Sequence, residues 1–255
     1  FYFSGIVITV VLTKYQHPIG ALYASDLIGA SLGCLFVLGG LEVFDAPSLI
    51  LLCGPIGVLA TFGFAWQSTS FTLRRTGCWI LIVLTISALI NFSTDYGIRP
   101  VTVKGYIENA GNHLIERWNS YSRVVVKKPT LGPPQFFGAS PSRPRERVYQ
   151  YEMNIDGGAA TTLRRFNSRE DINHLYYALT NVAYFLRPRG GACIIGVGGG
   201  RDIQSAILFG HENIVGIEVN PIFIDLIQNE FRKFAGIADH EGVTLIVDEA
   251  RSFLS

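Results

Sequence analysis

Long apolar runs separated by short polar breaks fill the first 92 residues of the chain. Leu27–Phe44 and Pro47–Trp66 approach or reach the length of about 20 residues that a helix needs to cross a bilayer. Thr76–Phe92 is shorter but free of charge, and Phe1–Leu12 is apolar from its first residue. Several such runs without a charged leader argue against a signal peptide. The pattern predicts about four transmembrane helices over residues 1–92, the first of them truncated.

Residues 93–150 have a different pattern and connect the apolar region to the rest of the chain. Prolines are frequent and break any helix, while alternating polar and apolar residues predict strands over Ser120–Lys127 and Arg147–Ile155. A turn at residues 156–158 leads to a return strand over Thr161–Phe166. These elements predict a small β-hairpin unit.

From residue 173 onward, helical and strand patterns alternate. The predicted elements are a helix followed by strand, helix, strand, helix and strand: Asn173–Leu186, Ala192–Ile195, Asp202–Phe209, Ile214–Val219, Pro221–Phe234 and Val243–Val247. Such alternation is typical of a parallel sheet with helices on its faces. The predicted fold is therefore a multi-helix transmembrane region followed by a Rossmann-like α/β domain, truncated at both chain ends.

Composition and charge agree with a chain in two parts. Asp, Glu, Lys and Arg make up 16% of the residues, against about 25% in ordinary soluble proteins, and only six of them lie in residues 1–92. This distribution excludes a single water-soluble globule, a disordered chain and a collagen-like repeat. The net charge of +1 excludes a basic nucleic-acid-binding protein.

The segment from Gly191 to Gly200 carries the strongest signal for a binding site. A short apolar strand runs into a glycine-rich turn that contains Gly196, Gly198 and Gly200. Glycine suits such a turn because a side chain would block the approach of the backbone to a ligand, and because some positions need a positive φ. The turn predicts a nucleotide-type site; a turn that serves only the chain topology is the alternative.

Acidic residues end the next two predicted strands. Glu218 lies 18 residues beyond Gly200, where a carboxylate can hold both hydroxyls of a ribose, and Asp248 and Glu249 follow the third strand. Ligands bind at these strand ends in open α/β sheets. A P-loop is excluded because no Lys-Ser/Thr pair follows the glycines, and the second acidic end suits an adenine amino group. The predicted ligand is S-adenosylmethionine or decarboxylated S-adenosylmethionine rather than NAD.

These motifs resemble the spermidine synthase family of polyamine aminopropyltransferases, in particular the membrane-attached branch in which transmembrane helices precede the enzyme domain. The matching segments, in chain order, are Tyr23–Leu35, Trp118–Val124, Asn154–Gly158, the glycine turn, Glu218 and Asp248–Leu254. The resemblance implies a methyltransferase-type domain for S-adenosylmethionine over residues 151–255, incomplete, after a connecting segment at residues 93–150.

The resemblance also assigns roles within the predicted site. The cofactor-binding residues that it implies are Gly196, Gly198, Gly200, Glu218, Asp248 and Glu249. The glycines would line the methionine side, the first carboxylate would hold the ribose, and the last pair would bind the adenine amino group. On the substrate side, Asp156 and Gly157 would form the mouth of the pocket, and the Tyr176 ring would lie against the substrate or, alternatively, pack the sheet.

Departures from the family bear on the reaction. The synthases have an Asp in the glycine turn where this chain has Gly199, and a Gln after the Asp-Gly pair where this chain has Ala160. Their proposed base follows the fourth strand, so here the expected base lies beyond Ser255 and the catalytic residue is unknown. Such a base is needed because the attacking amine must lose a proton.

The resemblance implies a membrane-anchored transferase of polyamine biosynthesis that moves an aminopropyl group from decarboxylated S-adenosylmethionine to a polyamine. Methyl transfer from S-adenosylmethionine on the same fold is the alternative, because the missing turn Asp would permit it. A transporter or sensor that binds the nucleoside without turnover is a third hypothesis. The expected partners are a small-molecule amine or other acceptor, membrane lipid and a second copy of the chain as a homodimer, with no nucleic acid.

No metal site is predicted. The four cysteines form no CxxC pair and lie in apolar segments: Cys34, Cys53, Cys78 and Cys193. The following histidines lack the spacing of metal ligands, and we expect them at the surface or at helix ends: His113, His174, His211 and His240.

The orientation in the membrane rests on few charges. With four crossings, the positive-inside rule places the domain after the helices outside, by a margin of three basic residues to two. The predicted cofactor is made and used in the cytoplasm, so we expect the domain after the helices to be cytoplasmic. The two arguments would agree if one of the apolar runs did not cross the membrane. Asp26, at the start of the second run, is expected either to cap that helix at the interface or to serve a polar role inside the helix bundle.

Overall fold

The computed structural model describes residues 2–14, 18–64, 71–94 and 96–255. Its contacts divide the chain into two compact units. The first, the helical unit, comprises Phe1–Arg99 and Trp118–Ser120, and the second, the α/β unit, comprises Pro100–Arg117 and Tyr121–Ser255.

Four helices make up the described part of the helical unit: α1 (Tyr2–Lys14), α2 (Ile19–Leu41), α3 (Ala46–Phe64) and α4 (Phe71–Ser93). The last three are long and apolar enough to cross a membrane, by length and composition. The first has 13 residues, so a fourth crossing stays a prediction. Trp66, where the third predicted run ends, lies outside the described residues.

The second helix begins eight residues before the predicted run. Pro18 precedes its first turn, and small and apolar residues extend the helix from Ile19 without a breaker. Asp26 therefore lies inside α2, where its side chain is exposed within the helical unit. The expectation that Asp26 caps this helix is wrong, because the helix does not begin there.

A buried polar contact joins α3 to α4. The side-chain amide of Asn91 donates a hydrogen bond of 2.8 Å to Ser48 Oγ, and both side chains are buried. At the start of α3, Asp45 Oδ1 accepts a 2.7 Å hydrogen bond from the Ser48 backbone N–H. Hydrogen bonds between apolar helices fix which faces meet, because the polar groups have no other partner in an apolar environment.

The α/β unit begins with short antiparallel strands: β1 (Thr102–Val103), β2 (Tyr106–Ile107), β3 (His113–Trp118), β4 (Arg123–Lys127), β5 (Thr130–Gly132), β6 (Val148–Ile155) and β7 (Ala159–Arg164). β1 and β2 form a two-stranded sheet, and the other five form a sheet in which β6 pairs with β4, β5 and β7. The predicted hairpin is β6–β7, closed by a turn in which Asp156 and Gly157 both have positive φ.

A parallel three-stranded sheet follows, made of β8 (Gly191–Ile195), β9 (Asn213–Glu218) and β10 (Val243–Val247) in the order β10-β9-β8. This order is that of one half of a Rossmann sheet. Register pairs Ile195 with Ile217 and Val247 with Glu218, so the three strands end at one edge. The fold is thus a helical region with three apolar helices followed by an α/β domain with a parallel sheet, as predicted.

Short helices connect these strands: α5 (Arg169–Ile172), α6 (Val182–Leu186), α7 (Arg201–Leu208), α8 (Pro221–Gln228), α9 (Arg232–Ala235) and α10 (Ala250–Leu254). α7 and α8 bury apolar faces in a core with the sheet, through Ile203, Leu226 and Ile227. Asn220 caps α8 by accepting a hydrogen bond from the Ile222 N–H, and Pro221 is its first residue.

Two predicted helices are broken. Over Asn173–Leu186 the chain forms two 3-10 turns and only then α6, because Ala178 is extended and pairs with Ala139. The buried Asn181 side chain also donates to the Leu175 carbonyl and to Ser205 Oγ. Similarly, the helix that was predicted to start at Pro221 stops at Gln228 and resumes as α9.

Candidate functional site

A cavity of about 760 Å³ lies where the parallel sheet faces the β6–β7 hairpin. Its walls are the glycine turn, the first turn of α7, the loop after β9, the hairpin and two further segments, 121–122 and 135–137. Cavities of 300–1,000 Å³ are typical of sites for small molecules. The site predicted at the carboxyl ends of the strands therefore coincides with a cavity large enough for a nucleoside.

Glu218 ends β9 and is fixed at this cavity by two backbone groups. Its Oε2 accepts a 3.0 Å hydrogen bond from the Gly198 N–H, and its Oε1 accepts a 3.1 Å bond from the Asn220 N–H. The side chain is 8% exposed and lines the cavity. A carboxylate held in this way keeps lone pairs for further donors, such as vicinal hydroxyls.

The glycine turn has the backbone that glycine permits. Gly196, Gly198 and Gly200 have φ of +82°, +50° and +80°, and the first two line the cavity. Gly200 does not line the cavity, and a Cβ there would meet the Ile237 side chain at 2.4 Å; its role in cofactor binding stays a prediction. The structure thus brings Gly196, Gly198 and Glu218 together around one cavity.

Gly199 leaves no space for a side chain. A Cβ there would lie 2.3 Å from the Thr162 carbonyl oxygen, because the turn is pressed against β7. The Gly199 N–H also donates a 3.2 Å hydrogen bond to Thr161 Oγ1. The Asp that spermidine synthases carry at this point of the turn cannot be accommodated by this backbone.

We expect Gly199→Ala to destabilise the α/β unit by about 2–3 kcal/mol, because the clash is with backbone atoms that cannot rotate away. Thermal unfolding of the full chain in detergent measures the loss. Gly191→Ala is the matched control: at the start of β8 its Cβ would lie 3.5 Å from the Asn213 carbonyl oxygen, an ordinary contact. Equal melting temperatures for the two variants would contradict the close approach of turn and hairpin.

Two arginines that the sequence analysis did not select line the same cavity. Arg164 ends β7 and is 1% exposed, and Arg201 is the first residue of α7. Arg201 donates to both oxygens of Asp202, at 3.0 and 3.1 Å, and its guanidinium lies 5.2 Å from the centre of the Phe137 ring. The one available signal for Arg164 was its position inside the predicted return strand Thr161–Phe166, which does not reveal burial.

Burial, reinforced by the charge of Arg201, lowers the pKa of Arg164 to about 10. The guanidinium is therefore still charged at neutral pH. Burial and the charge of Arg164 lower the pKa of His174 to about 4, although Glu146 lies 3.8 Å from its Nδ1. His174 and His211 are buried, so neither lies at the surface; the alternative, a position at a helix end, fits both, because His174 lies in the last turn of a 3-10 helix and the His211 N–H donates to the Ala206 carbonyl at the end of α7.

The second acidic strand end lies at the same sheet edge but does not line the cavity. Glu249 caps α10 by accepting a 3.0 Å hydrogen bond from the Ser252 N–H. Hydrogen bonds from the Arg251 and Ser252 backbones hold the pKa of Glu249 below its usual range. Asp248 accepts a 2.7 Å bond from the Glu249 N–H. Their role in binding adenine stays a prediction.

The predicted substrate-side residues lie elsewhere. Asp156 Oδ1 accepts a 2.9 Å hydrogen bond from the Arg123 N–H, and Gly157 lines a separate cavity of about 440 Å³. The Tyr176 hydroxyl donates to the Leu208 carbonyl at 3.3 Å, and its ring packs against Phe209. These three residues do not line the larger cavity, so their contact with a substrate also stays a prediction.

Within the described ranges, which omit 15–17, 65–70 and two single positions, no group of three or more His, Cys, Asp or Glu residues is arranged to hold a metal ion. The four cysteines are free.

Comparison with known proteins gives distant structural similarities. The chain is similar to a spermidine synthase in complex with the transition state analogue AdoDATO, with 9% identity and a TM-score of 0.35 over 62% of this chain and 52% of that one. It is also similar to the spermidine synthase from Thermotoga maritima, with 13% identity and a TM-score of 0.30 over 62% and 53%. The chain thus spans about half the length of these enzymes. No protein-family model and no curated protein matches the sequence.

Proposed function

We propose that this chain is a membrane-attached transferase whose α/β unit binds S-adenosylmethionine or its decarboxylated form and alkylates a small acceptor. The observation that carries the proposal is the carboxylate of Glu218, held by the Gly198 and Asn220 N–H groups at the wall of a cavity of about 760 Å³. A fixed carboxylate at the end of the second strand, next to a glycine turn, suits the two hydroxyls of a ribose.

The contribution of the protein is chiefly to position the ligands. Glu218 would accept hydrogen bonds from the ribose. The positive φ of Gly196 and Gly198 favours glycine, and because glycine has no side chain, the turn leaves space for the sulfonium arm. Phe223, which is 2% exposed, supplies an apolar wall. Holding two reactants in contact in such a cavity is itself a large part of catalysis.

Two group transfers are compatible with this site. In aminopropyl transfer, which the sequence resemblance favours, the amine lone pair forms a C–N bond with the aminopropyl carbon. The C–S bond breaks, methylthioadenosine leaves and the new ammonium loses a proton to a base. In methyl transfer a lone pair of the acceptor forms a bond to the methyl carbon. The bond between that carbon and sulfur breaks, S-adenosylhomocysteine leaves, and the acceptor loses a proton to a base. The absence of space for an Asp at Gly199 favours this second candidate.

The catalytic base stays unassigned. The carboxylates that line the cavity are Glu218 and Asp202, and both already accept hydrogen bonds, from backbone N–H groups and from Arg201 respectively. The helices α2, α3 and α4 would attach the enzyme to the membrane, and we propose that the α/β unit faces the cytoplasm, where the cofactor is made.

Calorimetry on the full chain in detergent micelles, with each cofactor separately, tests the proposal. We expect binding of at least one of them, and product analysis with an amine acceptor then separates methylthioadenosine from S-adenosylhomocysteine. Tight binding without either product would favour the transporter or sensor hypothesis. Absence of binding to both cofactors would overturn the proposed function.

A further inference from the structure

Arg164 is a buried cation with unused donors beside the cavity. It is 1% exposed, and its Nη2 donates to the Gln135 carbonyl. Its Nε and Nη1 are buried and have no hydrogen-bond partner in the part of the chain that the structure describes. A guanidinium removed from water without a carboxylate partner is costly, so such an arrangement requires an explanation.

No carboxylate among the described residues pairs with Arg164. The acidic side chain that acts on Arg164 is Asp202, and Asp202 is occupied by Arg201, which donates to both of its oxygens. Glu218, the other carboxylate that lines the cavity, is held by the Gly198 and Asn220 backbones. Two guanidiniums therefore share one carboxylate at this end of the cavity, which leaves an excess of positive charge.

This end of the cavity is next to the glycine turn. Thr161 on β7 accepts a hydrogen bond from Gly199 at 3.2 Å, and Gln204 on α7 donates to the Arg164 carbonyl at 3.2 Å. Arg164 thus lies beside the helix that the turn leads into, whereas Glu218 contacts the turn at Gly198. A nucleoside held by Glu218 would direct its sulfonium arm toward the two arginines.

We infer that Arg164 and Arg201 recognise a carboxylate on the sulfonium arm, so that the chain takes S-adenosylmethionine in preference to its decarboxylated form. This inference rests on the proposed function. Arg201, whose side chain is 18% exposed, supplies accessible donors, and Arg164 supplies an unpaired charge that acts through the protein interior. The decarboxylated cofactor keeps the ammonium but lacks the carboxylate, so it brings additional positive charge toward both guanidiniums.

The test compares affinities of the full chain, in detergent micelles and without acceptor, for three probes: S-adenosylmethionine, decarboxylated S-adenosylmethionine and methylthioadenosine. We expect the wild type to bind the first at least tenfold more tightly than the second. Arg164→Met should reduce this ratio at least tenfold and leave methylthioadenosine affinity unchanged, because that probe has neither the ammonium nor the carboxylate. Thermal unfolding checks that the variant is folded.

Arg165→Met is the matched control. Arg165 is the next residue, its side chain is 47% exposed, it pairs with Asp171 and it does not line the cavity. Its ratio of affinities should equal that of the wild type. Two results would overturn the inference and leave the proposed function standing. One is equal affinity of the wild type for S-adenosylmethionine and its decarboxylated form, and the other is an unchanged preference for S-adenosylmethionine in Arg164→Met. If the wild type bound none of the three probes, the proposed function itself would be overturned.

Discussion

Replacement of Glu218 by Ala is expected to weaken the binding of an adenosyl ligand more than tenfold. The ribose hydroxyls would lose a charged acceptor, and hydrogen bonds to charged groups contribute about 1.5–3 kcal/mol each. The Gly198 and Asn220 N–H groups, which donate to this carboxylate at 3.0 and 3.1 Å, would lose the acceptor that shapes the turn. Calorimetry with the cofactor that the wild type binds measures the change.

Glu212→Ala provides the control for this prediction. Glu212 is exposed and immediately precedes β9, so it lies at the opposite end of the same strand from Glu218. Its replacement should leave the affinity unchanged. The affinity of Glu218→Gln should fall between those of Glu218→Ala and Glu212→Ala, because the amide keeps one acceptor oxygen but not the charge. If Glu218→Ala bound the cofactor as tightly as the wild type does, this carboxylate would not be part of the binding site.

Arg123→Met is expected to destabilise the α/β unit by about 3–5 kcal/mol, the range for removing one partner of a buried ion pair. Arg123 is 3% exposed; it donates to both oxygens of Glu116, at 3.0 and 3.1 Å, and to Glu108 at 2.5 Å. Burial lowers the pKa of Arg123, but Glu116 and Glu108 outweigh this and raise it. Thermal or denaturant unfolding in detergent measures the loss.

Lys127→Met on the same strand is the comparison. Lys127 and its partner Glu152 are each 33% exposed, and exposed pairs contribute about 1 kcal/mol or less. Adding Glu116→Gln to Arg123→Met should recover part of the lost stability, because one unpaired carboxylate is removed. If Arg123→Met lowered the stability no more than Lys127→Met does, the ion pairs of Arg123 with Glu116 and Glu108 would not be important for the stability of the α/β unit.

The sheet elements could be predicted because their patterns are local. Apolar runs bounded by glycine or acidic residues place β8, β9 and β10 within one residue of their observed limits, and the turn at Asp156 and Gly157 identifies the hairpin. The proximity of Gly196, Gly198 and Glu218 could be predicted from their spacing, because a strand, a tight turn and a second parallel strand bring these residues to one edge of the sheet. Their roles in binding stay predictions.

The features that could not be predicted depend on contacts between distant segments. The helical spacing over Asn173–Leu186 is genuine, but the pairing of Ala178 with Ala139 breaks the helix. Arg164 looks like any basic residue within a strand, and its burial involves segments that are distant in the sequence, such as the one containing Gln135, whose carbonyl accepts a hydrogen bond from Arg164. Likewise, the long apolar run begins only at Leu27, so the run alone does not show that the helix containing Asp26 starts at Ile19, directly after Pro18.

The contact between Thr161 and Gly199 joins residues 38 positions apart. A parallel sheet forms from neighbouring strand–helix–strand segments, but this contact requires the earlier hairpin to dock on the edge of the sheet. The cavity between the glycine turn and the hairpin is therefore complete only when these two distant segments are docked. Substitutions in the hairpin can therefore reshape one wall of the cavity without removing Glu218, which is held from the opposite side by the Gly198 and Asn220 N–H groups.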